Sequence, residues 1–323
     1  ISIVNDPEPG ATWFPAGSLT PVALGPGDAD VDYSQKDGLP AIALVVQPID
    51  ALTIRGSYTR TVARQTFKEL SPILQQEFLG GPIFIGNPSL TMSEVENLDL
   101  RVDFTPFEGG LFSVSQFQKD LTNPIQYVQR GTPAFSFTTP ENYDSGLIEG
   151  FELEARQNFG AIDESLRAFT IGGNAAFIES TVNLPQADID RFASPQILQP
   201  ATTEAMAGAP DMLLNLYLTI DIEETGTRFG AFYTMQGDTL VAGAGVSSDN
   251  NYIPSIYAMP VNTLNLTFSQ EFFDNFTFFV KAKNLLNPDI ETVYRMPDGA
   301  ETLHTSYSAG VDLSIGVTAS FTF

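Results

Sequence analysis

No cysteine occurs in this 323-residue chain, and His304 is its only histidine. Thiolate nucleophiles, disulfides and thiolate metal sites are excluded, and one imidazole cannot build a multi-histidine centre. Asp28, Asp30 and Asp32 have the spacing that opens a calcium-binding loop. Tyr33 stands where that loop needs glycine and Leu39 where it needs a bidentate glutamate, so no metal site is expected. Gly243-Ala-Gly245 has neither a third glycine nor a following helix, and reads as a flexible loop piece rather than a dinucleotide site. His304, beside Glu301 in a long loop, reads as an exposed residue. No Ser–His pairing has local support and no phosphate-binding loop is present. The chain is expected to have no catalytic residues and no cofactor, and not to be an enzyme.

Charge with a regular placement remains. Arg55, Asp99, Arg101, Asp103, Glu152, Glu154, Arg156, Lys281 and Lys283 all fall on one parity of alternating segments. Leu98, Leu100, Val102 and Phe104 alternate with the acidic and basic residues of 97–105, and Leu214 to Ile222 alternates with Asn215, Tyr217, Thr219 and Asp221. Phe276, Phe278, Val280 and Ala282 oppose Thr277, Lys281 and Lys283, with Phe279 the exception. Val311, Leu313, Ile315, Val317, Ala319, Phe321 and Phe323 oppose only small or polar residues. A strand sends successive side chains to opposite faces, so each segment has one apolar and one polar face. In a bilayer the apolar face meets lipid, where a charge costs about 2–4 kcal/mol at the midplane. The charged residues therefore face a lumen.

Further strands are expected near 40–49, 52–62, 110–120, 147–157, 166–178 and 227–237. The total is about eleven, each on the order of 10–14 residues, longer than soluble strands and close to the span of a tilted membrane strand. Helical periodicity is confined to a short turn near Lys68–Phe78. Short turns at 50–51, 107–109, 159–165, 223–226 and 273–274 alternate with long connections at 5–36, 63–93, 121–146, 179–208, 239–260 and 287–307. Short turns at one end and long loops at the other describe an outer-membrane barrel. The fold class is all-β, a transmembrane antiparallel barrel. The short turns and Phe323 are periplasmic and the long loops extracellular. Phe104, Phe107, Phe159, Phe272, Phe273, Phe321 and Phe323 crowd the periplasmic end as an aromatic girdle. No run approaches a membrane helix, since alternating strands average out in hydropathy. The net charge of -24 excludes nucleic acid as a partner. The opening Ile-Ser-Ile-Val-Asn-Asp has no signal-peptide character, so the chain is expected to start inside a longer protein.

Several segments resemble, in order, the TonB-dependent outer-membrane receptors. These are Ile54-Arg-Gly-Ser-Tyr-Thr-Arg-Thr-Val-Ala-Arg64 with Phe67-Lys-Glu-Leu-Ser-Pro72, where Gln65 replaces the family's proline, and Gly86-Asn-Pro-Ser-Leu90. Phe117-Gln-Lys-Asp-Leu-Thr-Asn-Pro-Ile125, Ile148-Glu-Gly-Phe-Glu152, Gly208-Ala-Pro-Asp-Met-Leu-Leu-Asn215 and Val280-Lys-Ala-Lys-Asn-Leu-Leu-Asn287 continue the likeness. It covers nearly the whole chain and implies the C-terminal half of a barrel of about 22 strands. Residues 1–323 are expected to be a partial barrel domain, with the plug domain and TonB box outside them.

The resemblance implies an active-transport receptor that imports a scarce, bulky nutrient, such as a siderophore, vitamin or glycan, with energy from the TonB complex acting through the plug. The lumen-facing charges would meet the plug or ladder the inner wall. Substrate contacts are expected from loop aromatics: Phe84, Phe135, Tyr143, Phe192, Tyr252 and Tyr257. Phe321 and Phe323 are expected to be read by the barrel-assembly machinery. Outer-membrane lipid and a surface lipoprotein complete the expected partners. The alternatives are a passive porin-like barrel and a secreted soluble adhesin.

Overall fold

Eleven long strands follow one another as an up-and-down antiparallel meander in which every strand pairs with its neighbours in sequence. They are β1 (Ala41–Ile49), β2 (Leu52–Ala63), β3 (Ser93–Phe104), β4 (Leu111–Thr122), β5 (Ser145–Asn158) and β6 (Phe169–Asn183). The run continues with β7 (Met212–Ile222), β8 (Thr227–Gln236), β9 (Val261–Phe272), β10 (Phe276–Lys283) and β11 (Asp312–Ala319). Thr203–Glu204 adds a short strand to β6. The computed structural model describes residues 2–3, 12–13, 21–23, 25, 27, 30–32, 34–76, 81–273 and 275–320.

The register converts the alternation of single strands into rows across the sheet. Thr53, Asp103, Ser113, Glu154, Asn174, Asn215, Thr234 and Thr263 are successive partners on one face. One residue along, Ile54, Val102, Val114, Leu153, Ala175 and Leu214 form the matching row on the other face. Val114, Leu153, Leu98, Ile315 and Leu313 are exposed there, and none has a core beneath it. Large apolar side chains left open over so many neighbouring strands need an apolar solvent, not water. On that same face β3 turns charged at Glu96 and Glu94, where Arg60 meets Glu96 at 2.5 Å. The apolar band thus ends before the long connections begin. Phe104, Phe107 and Phe273 are exposed at its other end, by the short turns.

Inward-facing aromatics find room over glycines of the adjacent strand. A Cβ at Gly150 would meet the Phe117 ring, one at Gly172 the Tyr217 ring, and one at Gly316 the Phe279 ring. Phe279, the exception in its strand's alternation, is thereby placed against the lumen side of β11.

The long connections are not irregular. Four of them extend their parent strands into a second, nine-stranded sheet. Its order is Glu301–Ser308, Asp289–Arg295, Ser255–Ala258, Thr239–Ser247, Ile125–Gly131, Ser136–Asn142, Ile83–Ile85 and Leu74–Gln76, with Tyr252–Ile253 against Thr239–Ser247. Ile125–Gly131 pairs in parallel with Thr239–Ser247 because both continue strands, β4 and β8, that run toward this end. Gly243-Ala-Gly245 lies within that strand and is not a flexible loop piece. A Cβ at Gly245 would stand 1.5 Å from the Gln129 carbonyl oxygen, so the two backbones can approach only at glycine. The helical turn near 68 is four residues, Phe67–Leu70, closed by a capping box between Thr66 and Glu69. A longer helix, Gln186–Phe192, lies in the connection between β6 and β7.

Candidate functional site

The wall and the loop sheet each carry an organised set of polar side chains. On the wall, Asp103 is the hub. It is 6% exposed and receives Arg55, the Ser113 hydroxyl and Arg101 Nε, the last at 2.7 Å. Arg101 Nη2 also reaches Glu154 at 2.7 Å. Asp99 accepts from Ser57, and Lys283 lies 4.0 Å from Asp312. Lys281 stands over the Phe279 ring. Glu152 pairs with Ser115 and Arg156 with Leu111 in the same inward rows. All nine charged residues singled out by parity thus share one face. Several neutralise one another across strands, as buried or half-buried charge must.

Above the wall, the loops close on a core of their own. Val128, Tyr143, Val182, Leu184, Phe192, Ala244 and Val246 are buried together, with Tyr252 packed on the outside. Arg130, 2% exposed, crosses this core as a charged strut. Its Nε and Nη2 grip Glu141 at 3.0 and 2.7 Å, and Nη2 also reaches Asp188 at 2.9 Å. Asp188 accepts in addition from Arg191 at 3.2 Å. Burial opposes the Arg130 charge, but Glu141 and Asp188 more than compensate and hold its pKa above the ordinary arginine value. The pair fastens helix Gln186–Phe192 to the hairpin 125–142.

Glu204 lies at the foot of the same core. Gln126 Nε2 donates to its carboxylate at 2.9 Å and to Ala205 O at 2.9 Å, while Gln126 Oε1 accepts from Ala207 N. A Cβ at Gly243 would come 2.3 Å from the carboxylate, so glycine again makes the space. Burial, set only partly against the Gln126 bond, pushes the Glu204 pKa up to about 7.

On the far side of the hairpin 125–142 lies a cavity of about 370 Å³, lined by residues from seven loop strands. Gln76, Gln129, Ser136, Thr138, Tyr294 and His304 supply its polar lining, and Ile83, Phe135, Phe137 and Ile256 its apolar lining. Tyr294 lies close to the Ser136 hydroxyl and rests against His304 with ring centroids 4.5 Å apart. His304 is half-buried, not exposed. Its Nε2 is buried without a hydrogen-bond partner among the described residues, and burial lowers its pKa.

The loop aromatics divide accordingly. Phe135 lines the cavity. Phe84 stacks edge-on against Tyr127 beneath Lys68. Tyr143 and Phe192 are 1% and 2% exposed and belong to the loop core, with Tyr252 edge-on to Phe192. Tyr257 underlies the Arg295 guanidinium at 4.1 Å. Phe321 and Phe323 lie outside the described residues, as does Asp28 of the acidic run. Among the described residues no group of His, Asp and Glu is arranged to hold a metal ion. Sequence reading missed Arg130, Gln126 and Glu204, and took His304 for an exposed residue. Gln126 and Glu204 are 78 residues apart and meet only because two loops pack together.

A profile of the family described as "TonB dependent receptor-like, beta-barrel" matches residues 14–285. The chain belongs to that family. Solved structures with the same fold include the ferric enterobactin receptor PfeA of Pseudomonas aeruginosa, at 14% identity and a TM-score of 0.54, over 88% of this chain and 40% of that one. The FrpB iron transporter of Neisseria meningitidis aligns at 11% identity and a TM-score of 0.55, over 87% and 39%. The ferric-catecholate import receptor Fiu of E. coli K12 aligns at 11% and 0.53, over 86% and 34%. No curated protein matches the chain in sequence. The chain spans well under half the length of these receptors, and at such identities the likeness establishes the fold. For a TonB-dependent receptor barrel the apolar band is the lipid face and the setting is the outer membrane. Members of this family are transport receptors, not enzymes.

Proposed function

We propose that this chain is the barrel portion of an outer-membrane receptor that imports a scarce, bulky nutrient with energy supplied by the TonB complex. The reading is carried by one observation: a wall that is apolar outside and charged inside, crowned by loops packed into a shared sheet with a cavity. A passive porin needs an open mouth. Here strands from four loops converge over the wall, which suits capture of a dilute ligand. In this reading the long loops are extracellular and the short turns periplasmic. The Asp103–Arg101–Glu154 network faces a plug domain, through which TonB acts. Phe321 and Phe323 engage the barrel-assembly machinery at the periplasmic end, and a surface lipoprotein over the loops is a further partner. The nutrient is a siderophore, vitamin or glycan, and loop aromatics such as Phe135 and Tyr257 contribute to its contacts.

The test is uptake by the full receptor in cells with and without TonB. Accumulation of a candidate nutrient that needs both the receptor and TonB supports the reading. Receptor-dependent entry of small solutes that is indifferent to TonB favours a porin instead.

A further inference from the structure

The loop cavity has a lining of one chemical kind. Among the described residues that wall it there is no Lys, Arg, Asp or Glu. What it offers are amides from Gln76 and Gln129, hydroxyls from Ser136, Thr138 and Tyr294, and the imidazole of His304. Phe135 and Ile256 provide apolar surface beside them. The loop arginines that could serve an anion are committed elsewhere: Arg130 between Glu141 and Asp188, Arg191 on Asp188, and Arg295 between Asp238 and Glu301. Lys68 sits over the Phe84 ring, outside the cavity, and Arg64 is exposed at the start of its loop. A trianionic ferric tris-catecholate would enter a space with no cation among its described lining residues, which is costly away from bulk water.

An uncharged ligand faces no such cost. Buried hydrogen-bonding groups demand partners, and His304 Nε2 has none among the described residues. At about 370 Å³ the space falls within the range of small-ligand sites.

We infer that the cavity lined by Gln129, Ser136, Tyr294 and His304 binds an uncharged ligand rich in hydroxyl or carbonyl groups and bearing an apolar face. This rests on the transport reading and narrows its cargo. Two sources share that chemistry, a neutral glycan and an electroneutral ferric trihydroxamate. Both are set apart from the ferric-catecholate that Fiu imports.

The experiment uses the full receptor in outer-membrane vesicles and three probes: a neutral malto-oligosaccharide, a ferric trihydroxamate and a ferric tris-catecholate. One neutral probe is expected to bind saturably, identifying the source, and the catecholate is not. Gln129→Leu and Tyr294→Phe should each weaken the neutral probe by about tenfold, the loss of one or two hydrogen bonds. Gln76→Leu, at the sheet edge, tests the same point with less risk to packing, and heat-modifiable gel mobility reports whether each barrel is folded. Tighter binding of the catecholate, absence of binding by both neutral probes, or neutral binding unchanged in all three folded variants would overturn the inference. TonB-dependent uptake of the catecholate alone would sink it and leave the transport reading standing. Uptake independent of TonB would sink the transport reading.

Discussion

Two side chains hold most of what is unusual in the loops, and they respond to opposite perturbations. Arg130 is buried between Glu141 and Asp188. Arg130→Met leaves both carboxylates buried without their cation, a loss of about 3–5 kcal/mol in local stability. The expected outcome is rapid proteolysis in 184–206 while the barrel keeps its heat-modifiable mobility; unchanged protease resistance would contradict the strut. Glu204 works through its proton. Its pKa is pushed up to about 7 by burial, from an ordinary value of 4.5. Gln126, Tyr143, Arg130 and Asp188 are the groups around it. Between those pH values the packed loops retain a proton that the opened loops release. Packing is therefore at full strength below about pH 4.5, weakens as pH rises toward 7, and stays weaker above, by roughly 3 kcal/mol. Amide-exchange protection of 125–131 and 239–247, corrected for intrinsic rates, should follow that profile. Glu204→Gln should flatten it and protect the loops at pH 8. None of this was legible in the sequence. Gln126, Glu204 and Arg130 sit in segments without alternation, and their partners come from other loops.

At the scale of the strand the sequence was far more informative. Each wall strand buries neither face in a protein core. One face is apolar and the other polar, so the alternation in β3, β7 and β11 survives undiluted. The loop strands lost that signal for the opposite reason. Val128, Gln129 and Arg130 are all buried, so both faces of Ile125–Gly131 are covered and polarity carries no period. The glycines of 239–247 looked like flexibility because their purpose, backbone contact with Gln129, is non-local. Parity in the wall makes a sharp prediction. Leu153 and Asn174 lie on adjacent strands one row apart, Leu153 on the apolar face and Asn174 opposite Glu154 on the inner one. Leu153→Arg should cost about 2–4 kcal/mol in barrel stability and reduce its level in the outer membrane. Asn174→Arg gains Glu154 as a neighbour and should cost little. Comparable losses measured by urea unfolding in lipid vesicles would refute the assignment of faces.

At the scale of the whole molecule, the wall is a sheet with two open sides. Among the described residues, β1 pairs only with β2 and β11 only with β10. Ile42, Leu44, Leu313 and Ile315 are each at least 61% exposed on these outermost strands. Pro48 interrupts the β1 register between Val46 and Ile49, which blunts one edge only near the short turn. Elsewhere neither edge has a partner strand among the described residues, and in a membrane backbone donors and acceptors must be satisfied by closure. We propose that further strands meet these two edges, in keeping with the greater length of the family's solved receptors. A passive barrel formed by residues 1–323 alone would have to join β1 to β11 around a far smaller circumference. The rows of large inward residues, Phe117, Tyr217 and Phe279 among them, would then compete for one narrow interior. Expressed on its own and refolded into lipid vesicles, the 323-residue span should give edge-paired oligomers or aggregate. Joined to the remaining strands of its barrel it should migrate as a heat-modifiable monomer. A closed, ion-conducting monomer from residues 1–323 alone would overturn this account of the edges and restore the porin reading.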